Sequence, residues 1–247
     1  MRKSLLSYAC ASFVLFLLWK GLATLLTSAV LPQPEAALLA FWQAMGTGTF
    51  WANMGASLYR ASAGMILAWL IGFPLGVYMG GSTRVDALLS PLVYLTYPIP
   101  KIVLLPVILL ILGLGDLSKI AMITLILSFQ VLVTTRDGVK HLPARYIDSI
   151  RAMGATGSQI IREVYIPAAL PAGFTALRLN SGVSIAVLFF VESFATSSGL
   201  GYMIMDEWGR MNYEGMFAGI FGMSLLGVFL FEVVNMLEKR VCRWKED

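Results

Sequence analysis

Apolar residues run through this chain in six stretches, too many and too long for the core of a small soluble domain. They cover roughly residues 5–29, 57–80, 88–112, 118–135, 171–194 and 216–237. Crossing the hydrocarbon of a bilayer takes about 20 mostly apolar residues per helix. The pattern therefore predicts an all-α membrane bundle of about six transmembrane helices. Between the first two stretches, Leu31-Pro32-Gln33-Pro34 leads into EAALLAFWQAM, whose apolar residues fall at mixed helical spacing near Trp42 and Trp51. Tryptophan prefers the lipid–water boundary, so this piece is expected to lie along one face. The third stretch carries Pro91, Pro98, Pro100 and Pro106. Proline lacks a backbone donor and clashes with the preceding turn, which predicts a kinked or broken helix. In a membrane such breaks survive where protein or a watery cavity satisfies the freed carbonyls; a pathway and plain packing kinks both fit.

One polar segment interrupts this pattern, IDSIRAMGATGSQIIREVYIPAALP, between the fourth and fifth stretches. Pro143 is placed to open a short helix, because its missing N–H has no partner in a first turn anyway. The helix runs to Met153, and Gly154 suits the left-handed residue that ends a helix. Tyr146, Ile150 and Met153 fall at i, i+4 and i+7 with Ile147 beside them, forming one apolar face, while Arg145, Asp148 and Arg151 occupy much of the rest. A helix of this length suits docking in a groove, or lying on a lipid surface. Thr156 and Gln159 then fit a capping box. A second helix through Ile160, Ile161 and Val164 meets Pro167, which disfavours helix at Ile166, so a bend is expected before the span that begins at Pro171.

Composition agrees with a membrane class: 58% of the 247 residues are hydrophobic and 13% charged, with mean hydropathy +0.78. The net charge of +4 is modest. No clustered basic face of the nucleic-acid-binding kind is present. The distribution of charge orients the bundle by the positive-inside rule. With the N-terminus inside, the cytoplasmic segments hold Arg2, Lys3, Arg84, Arg136, Lys140, Arg145, Arg151, Arg162, Lys239, Arg240, Arg243 and Lys245. The other side holds Arg60, Lys119 and Arg210 beside Glu35, Asp116, Asp206, Glu207 and Glu214. Both termini are therefore expected in the cytoplasm, and the first stretch is read as a retained helix rather than a cleaved signal. Cys10 and Cys242 form no CxxC or Cys/His cluster, so neither a disulfide framework nor a metal site is expected.

The polar segment resembles the EAA loop of the permease subunits of type I ATP-binding-cassette importers. That pattern is E-A-A, three residues, G, nine residues, then I-x-L-P. The chain has Asp148-Ser149-Ile150, three residues, Gly154, nine residues, then Val164-Tyr165-Ile166-Pro167. DSI in place of EAA keeps the acid and loses both alanines. LPQP, GFPLGVYMG, YPIPKIVLLPVILLILGLGDLSKI and SSGLGYMI resemble the nitrate, sulfonate, taurine and bicarbonate branch of these permeases, to which thiamine-precursor permeases are similar. The resemblance implies a bacterial inner-membrane, multi-pass permease in two parts. Residues 1–56 would form the first span and an extracytoplasmic interfacial segment, and residues 57–247 a permease core of about five spans with the coupling loop at 136–170. It implies that Tyr146, Ile147, Asp148, Ser149, Ile150, Arg151, Met153 and Gly154 contact a separate ATPase, and that Pro167 sets the angle to the fifth span. The implied partners are ABC ATPase subunits, an extracytoplasmic solute-binding protein, membrane lipid and a second copy of the chain. The homodimer follows from the family and from a single loop on only six spans.

The chain has no GxxxxGK[ST] phosphate loop, so ATP and Mg are expected on the partner and no cofactor on this chain. Polar residues inside the stretches are Lys20, Tyr97, Lys101, Gln130, Asn180, Ser181, Ser184, Glu192 and Ser193. Ionisable groups at membrane depth are costly and face a cavity or a partner. Tyr97, Lys101, Gln130, Asn180, Ser184 and Glu192 are the candidate pathway set for a small anionic solute. Lys101 would meet the anion, or pair with Glu192 or a helix C-terminus. Lys20 can snorkel to an interface, and Arg178 would bind headgroups or the loop. Ser197-Ser198-Gly199-Leu200-Gly201 reads as an outer turn, or as an element near the binding protein. A competing class is an ion-coupled secondary transporter, which would need acids in relay positions. An intramembrane enzyme lacks a constellation, since the one histidine, His141, lies in the polar loop.

Overall fold

The computed structural model describes residues 2–26, 30–194 and 196–245, with side chains described between Phe13 and Trp244. Among the described residues every regular element is helical. Helix α1 (Arg2–Leu26) is followed by α2 (Pro34–Met45), with Pro34 in the first turn where its missing donor costs nothing. Lys20 of α1 is bonded to Glu35 of α2, and that ammonium holds the Glu35 carboxyl below its usual range.

Helix α3 (Gly48–Gly81) is capped by Thr47, whose hydroxyl accepts from the Phe50 N–H at 3.3 Å. It packs on α6 (Asp116–Lys140) through a stripe of small residues, Gly64, Ala68, Gly72, Gly76 and Gly80, one per helical turn. A Cβ on Gly72 would stand 2.5 Å from the Ser128 carbonyl oxygen, on Gly76 2.6 Å from that of Leu132, and on Gly80 2.7 Å from that of Arg136. Backbone therefore lies on backbone, as membrane helices do when small residues line the seam. Gly76→Leu is expected to force the pair apart and abolish the monodisperse peak in detergent size-exclusion chromatography. Gly55→Leu, where a Cβ meets nothing within 4 Å, is expected to leave it intact.

The proline-rich third stretch is broken, as its composition predicts. Helix α4 (Thr83–Thr96) ends before Pro98 and Pro100, a 3₁₀ turn spans Lys101–Leu104, and α5 (Leu105–Leu112) leaves at a bend of 79°. Arg136 and Lys140 at the end of α6 both bind Asp86 of α4, and Arg136 also donates to Ser90 and to the Tyr94 hydroxyl.

After α7 (Ala144–Ala152) come α8 (Gly157–Ile160), a π-turn (Ile161–Tyr165) and α9 (Ile166–Glu192). Here the structure corrects an expectation. No break occurs at Pro167; Gly157–Glu192 is one span of 36 residues. The π-turn runs its bonds one residue further, so the change of register falls where Pro167 has no N–H to give. Helices α10 (Leu200–Gly209) and α11 (Tyr213–Val241) complete the chain.

Phe50, Met65, Ile123, Leu127, Leu188, Leu200 and Leu226 join α3, α6, α9, α10 and α11 in one core. Leu25, Leu95, Leu110 and Ile111 point outward, the arrangement of a protein whose solvent is lipid. Among the described residues four helices are long and apolar enough to cross a membrane, five if the bent α4–α5 pair is one span. The expected first span falls on α1, whose apolar part with described side chains is Phe13–Leu26.

Candidate functional site

Three groups of residues stand out, in order along the rod of α8 and α9. At its start lies the polar loop. Helix α7 begins after Pro143 and ends in Gly154 at φ +84°, with the Gly154 N–H on the Arg151 carbonyl at 2.9 Å and the Ala155 N–H on that of Ile150 at 3.2 Å. That double bond is a Schellman ending, and it requires the left-handed residue the sequence places there. Gln159 then accepts the Thr156 N–H at 2.7 Å, closing the capping box that starts α8. The apolar face of α7 is divided. Ile147 and Ile150 pack inward against the cluster of Phe73, Val77, Val164 and Tyr165, whereas Tyr146, Asp148, Ser149, Arg151 and Met153 are exposed. The inward half anchors the loop to the bundle and leaves the outward half free.

At mid-chain, the break between α4 and α5 opens a cavity of about 340 Å³ lined by Tyr97, Lys101, Phe129, Gln130 and aliphatic neighbours. Three of the six candidate pathway residues meet here. The Lys101 ammonium donates to the Thr96 carbonyl at 3.2 Å, at the C-terminus of α4, and sits 4.3 Å from the Phe129 ring centroid. Among the described residues no carboxylate lies within ion-pair distance of it. A cation beside two aromatic rings and one amide has room for a small ligand carrying a negative group.

Asn180, Ser184 and Glu192 lie elsewhere. Asn180 and Ser184 are buried in α9, Ser184 donating to the Ser181 carbonyl at 2.7 Å. Arg178 pairs with Glu238 of α11 at 3.0 Å, inside the bundle rather than at headgroups. Glu192, fully buried, is the centre of a clamp at the far end of α9. Its carboxylate accepts from Arg60 Nη1 at 2.8 Å, from Ser57 Oγ at 2.8 and 2.9 Å, and from the Gly201 N–H at 2.9 Å. Arg60 also donates to Asp116 at 2.7 Å and to the Ser198 carbonyl and hydroxyl at 2.7 and 2.8 Å. Ser57 Oγ accepts the Leu200 N–H, and Asn53 Oδ1 the Gly199 N–H, both at 2.8 Å. Gly199 is at φ +112°, and a Cβ there would stand 2.4 Å from the Glu192 carboxyl. Two buried charges are thus paired and hydrogen-bonded on nearly every side, the condition for keeping them out of water.

The charge pattern counts Arg60 with the outer segments, although the apolar stretch 57–80 already contains it. Helix α3 starts at Gly48, and Asn53, Ser57 and Arg60 at i, i+4 and i+7 form one polar stripe on it. That spacing was the available signal.

A polytopic helical bundle with a proline-broken helix, an exposed glycine-ended loop helix and a polar mid-chain cavity has the make-up of a membrane transport component. The chain belongs to the family of binding-protein-dependent transport system inner membrane components, which it matches over residues 72–243. It is 31% identical over 238 residues to the taurine transport system permease protein TauC of Escherichia coli, covering 94% of this chain and 86% of that one. It is 30% identical over 197 residues to the formylaminopyrimidine transport permease protein ThiX of Halalkalibacterium halodurans, covering 80% and 79%. The fold is that of a chain in the inward-facing MetNI methionine ABC transporter, with a TM-score of 0.64, 22% identity and coverage of 76% and 94%. The protein is accordingly a multi-pass inner-membrane permease component of an ABC importer, of a family that is not itself catalytic.

Proposed function

We propose that this chain forms the translocation pathway for a small anionic solute of the sulfonate, taurine or nitrate kind, and is driven by a separate ATPase that grips α7. The observation that carries the reading is the exposed outer half of α7, locked at Gly154 and joined directly to the 36-residue rod. A partner holding Tyr146, Asp148 and Met153 would move the rod with it. ATP and Mg would be bound by that partner, whose closure favours one facing of the permease through differential contacts. A solute-binding protein would deliver from the extracytoplasmic side, and a second copy of the chain would complete the pathway. Both termini would lie in the cytoplasm.

Within the cavity, Lys101 would contact the anion while Tyr97 and Phe129 cover its apolar part. Lys101→Ala is expected to lower ATP-driven uptake of an alkanesulfonate into proteoliposomes about tenfold or more, the scale of one charge-assisted hydrogen bond. ATPase copurification should be unchanged. Undiminished uptake would remove Lys101 from the pathway.

A second reading, a thiamine-precursor solute, is favoured by the ThiX likeness and by the Gln130 amide, which lines the cavity together with two aromatic residues. It predicts that Gln130→Leu impairs uptake of an aminopyrimidine and that Lys101→Ala does not.

A further inference from the structure

The clamp at Glu192 and the loop at Gly154 occupy opposite ends of one uninterrupted rod. At about 1.5 Å per residue, the 36 residues of Gly157–Glu192 extend roughly 54 Å. That exceeds the roughly 40–45 Å of a whole bilayer including its headgroups. At the loop end the rod starts two residues beyond the Schellman ending of α7, through a capping box that fixes its first turn. At the far end the connection is made by side chains. The first three backbone N–H groups of the following segment, those of Gly199, Leu200 and Gly201, are taken by Asn53, Ser57 and Glu192 in turn. A helix N-terminus carries partial positive charge and orphan donors, and a carboxylate there satisfies both. Arg60 closes the arrangement by holding the Ser198 carbonyl one step before, while its other contacts reach α9 through Glu192 and α6 through Asp116. The bonds from Asn53, Ser57 and Arg60 hold the segment to α3 and the bond from Glu192 holds it to α9, so they would have to be replaced for α10 to leave the two helices, and nothing in an apolar interior replaces them.

We propose that Asn53, Ser57, Arg60 and Glu192 are positioning residues that tie the outer loop and α10 to α3 and to the far end of α9, so that displacement of the coupling loop is delivered across the membrane to the outer face. This rests on the proposed grip of the ATPase on α7. The rod and its clamp move as one piece, and the compliance in the bundle belongs to the 79° break between α4 and α5, where Pro98 and Pro100 leave the backbone without a continuous ladder.

The test uses the complex with its ATPase partner in nanodiscs, in a Cys10→Ser background. One reporter is Ala144→Cys at the exposed start of the loop helix, outside the proposed grip, and the other is Ser197→Cys on the exposed outer loop. Labelling by a polar maleimide is timed without nucleotide and after trapping with ATP and vanadate. Both reporters are expected to change rate between the two states. Adding Asn53→Ala or Ser57→Ala should abolish the change at the outer reporter, by about fivefold or more, and keep it at the loop reporter. Asn53→Asp, which retains the accepting oxygen, should restore it. A loop that had merely loosened would label faster in both states and still show the nucleotide-dependent ratio, and that result would overturn the proposal. So would an outer reporter that ignores nucleotide while the loop reporter responds. A loop reporter that itself ignores nucleotide defeats the grip on α7, a separate failure.

Discussion

Truncating Glu192 to alanine is expected to destabilise the fold by about 3–5 kcal/mol, the cost of stranding one partner of a buried ion pair. Arg60 would be left with the half-exposed Asp116 and the carbonyl and hydroxyl of Ser198, and the Gly201 N–H would lose its acceptor. Gly199→Ala should be comparably harmful, because the new Cβ would fall within 2.5 Å of the carboxyl at a backbone angle that L-residues rarely adopt. Asp116→Asn touches the same guanidinium from its exposed side and should cost no more than about 1 kcal/mol. Thermal unfolding in detergent can be followed by maleimide capture of the buried Cys242 thiol in the Cys10→Ser background. A shift of roughly 10 °C is expected for Glu192→Ala and only a few degrees for Asp116→Asn. Equal shifts would mean that burial does not set the worth of these contacts.

The contrast between the two acids shows what sequence alone resolves. Glu192 falls just inside an apolar stretch and Asp116 just outside one, each two residues from its end, and packing alone shows Glu192 fully buried and Asp116 at 49% exposure. Local signals were legible where local chemistry decides the outcome. Gly154 takes its positive φ, Gln159 closes its capping box and the paired prolines break the third stretch, because each follows from backbone geometry within a few residues. Pro167 was misjudged for a tertiary reason: Val164 and Tyr165 are held in the cluster with Phe73 and Val77, and a π-turn keeps them there without ending the helix. The partnership of Arg60 with Glu192 spans 132 residues. No periodicity within one helix names a partner on another. The seam of α3 on α6 lies between these cases, since a small residue on every turn is visible in sequence and the helix it faces is not.

Replacing Gly154 by valine is expected to leave the protein inserted and folded but to cut ATP-driven uptake by more than about tenfold while the partner's ATPase continues. A Cβ at this position would meet nothing within 4 Å, so the effect cannot come from crowding. It comes from the backbone: φ is +84°, and a residue with a side chain loses about 1–2 kcal/mol on entering the left-handed region, with β-branching adding further restriction at χ1. Relaxing that strain means giving up the Gly154 and Ala155 bonds to the last turn of α7, and with them the fixed angle between α7 and the rod. The argument predicts a graded series. Asparagine, which tolerates the left-handed region best among ordinary residues, should retain most coupling, alanine less and valine least. Gly157→Ala, in equally open space but with no positive φ, should behave as the unsubstituted protein. Uptake per ATP hydrolysed, measured in proteoliposomes across the four variants, checks the order. A flat series would show that the angle at Gly154 does not carry the drive.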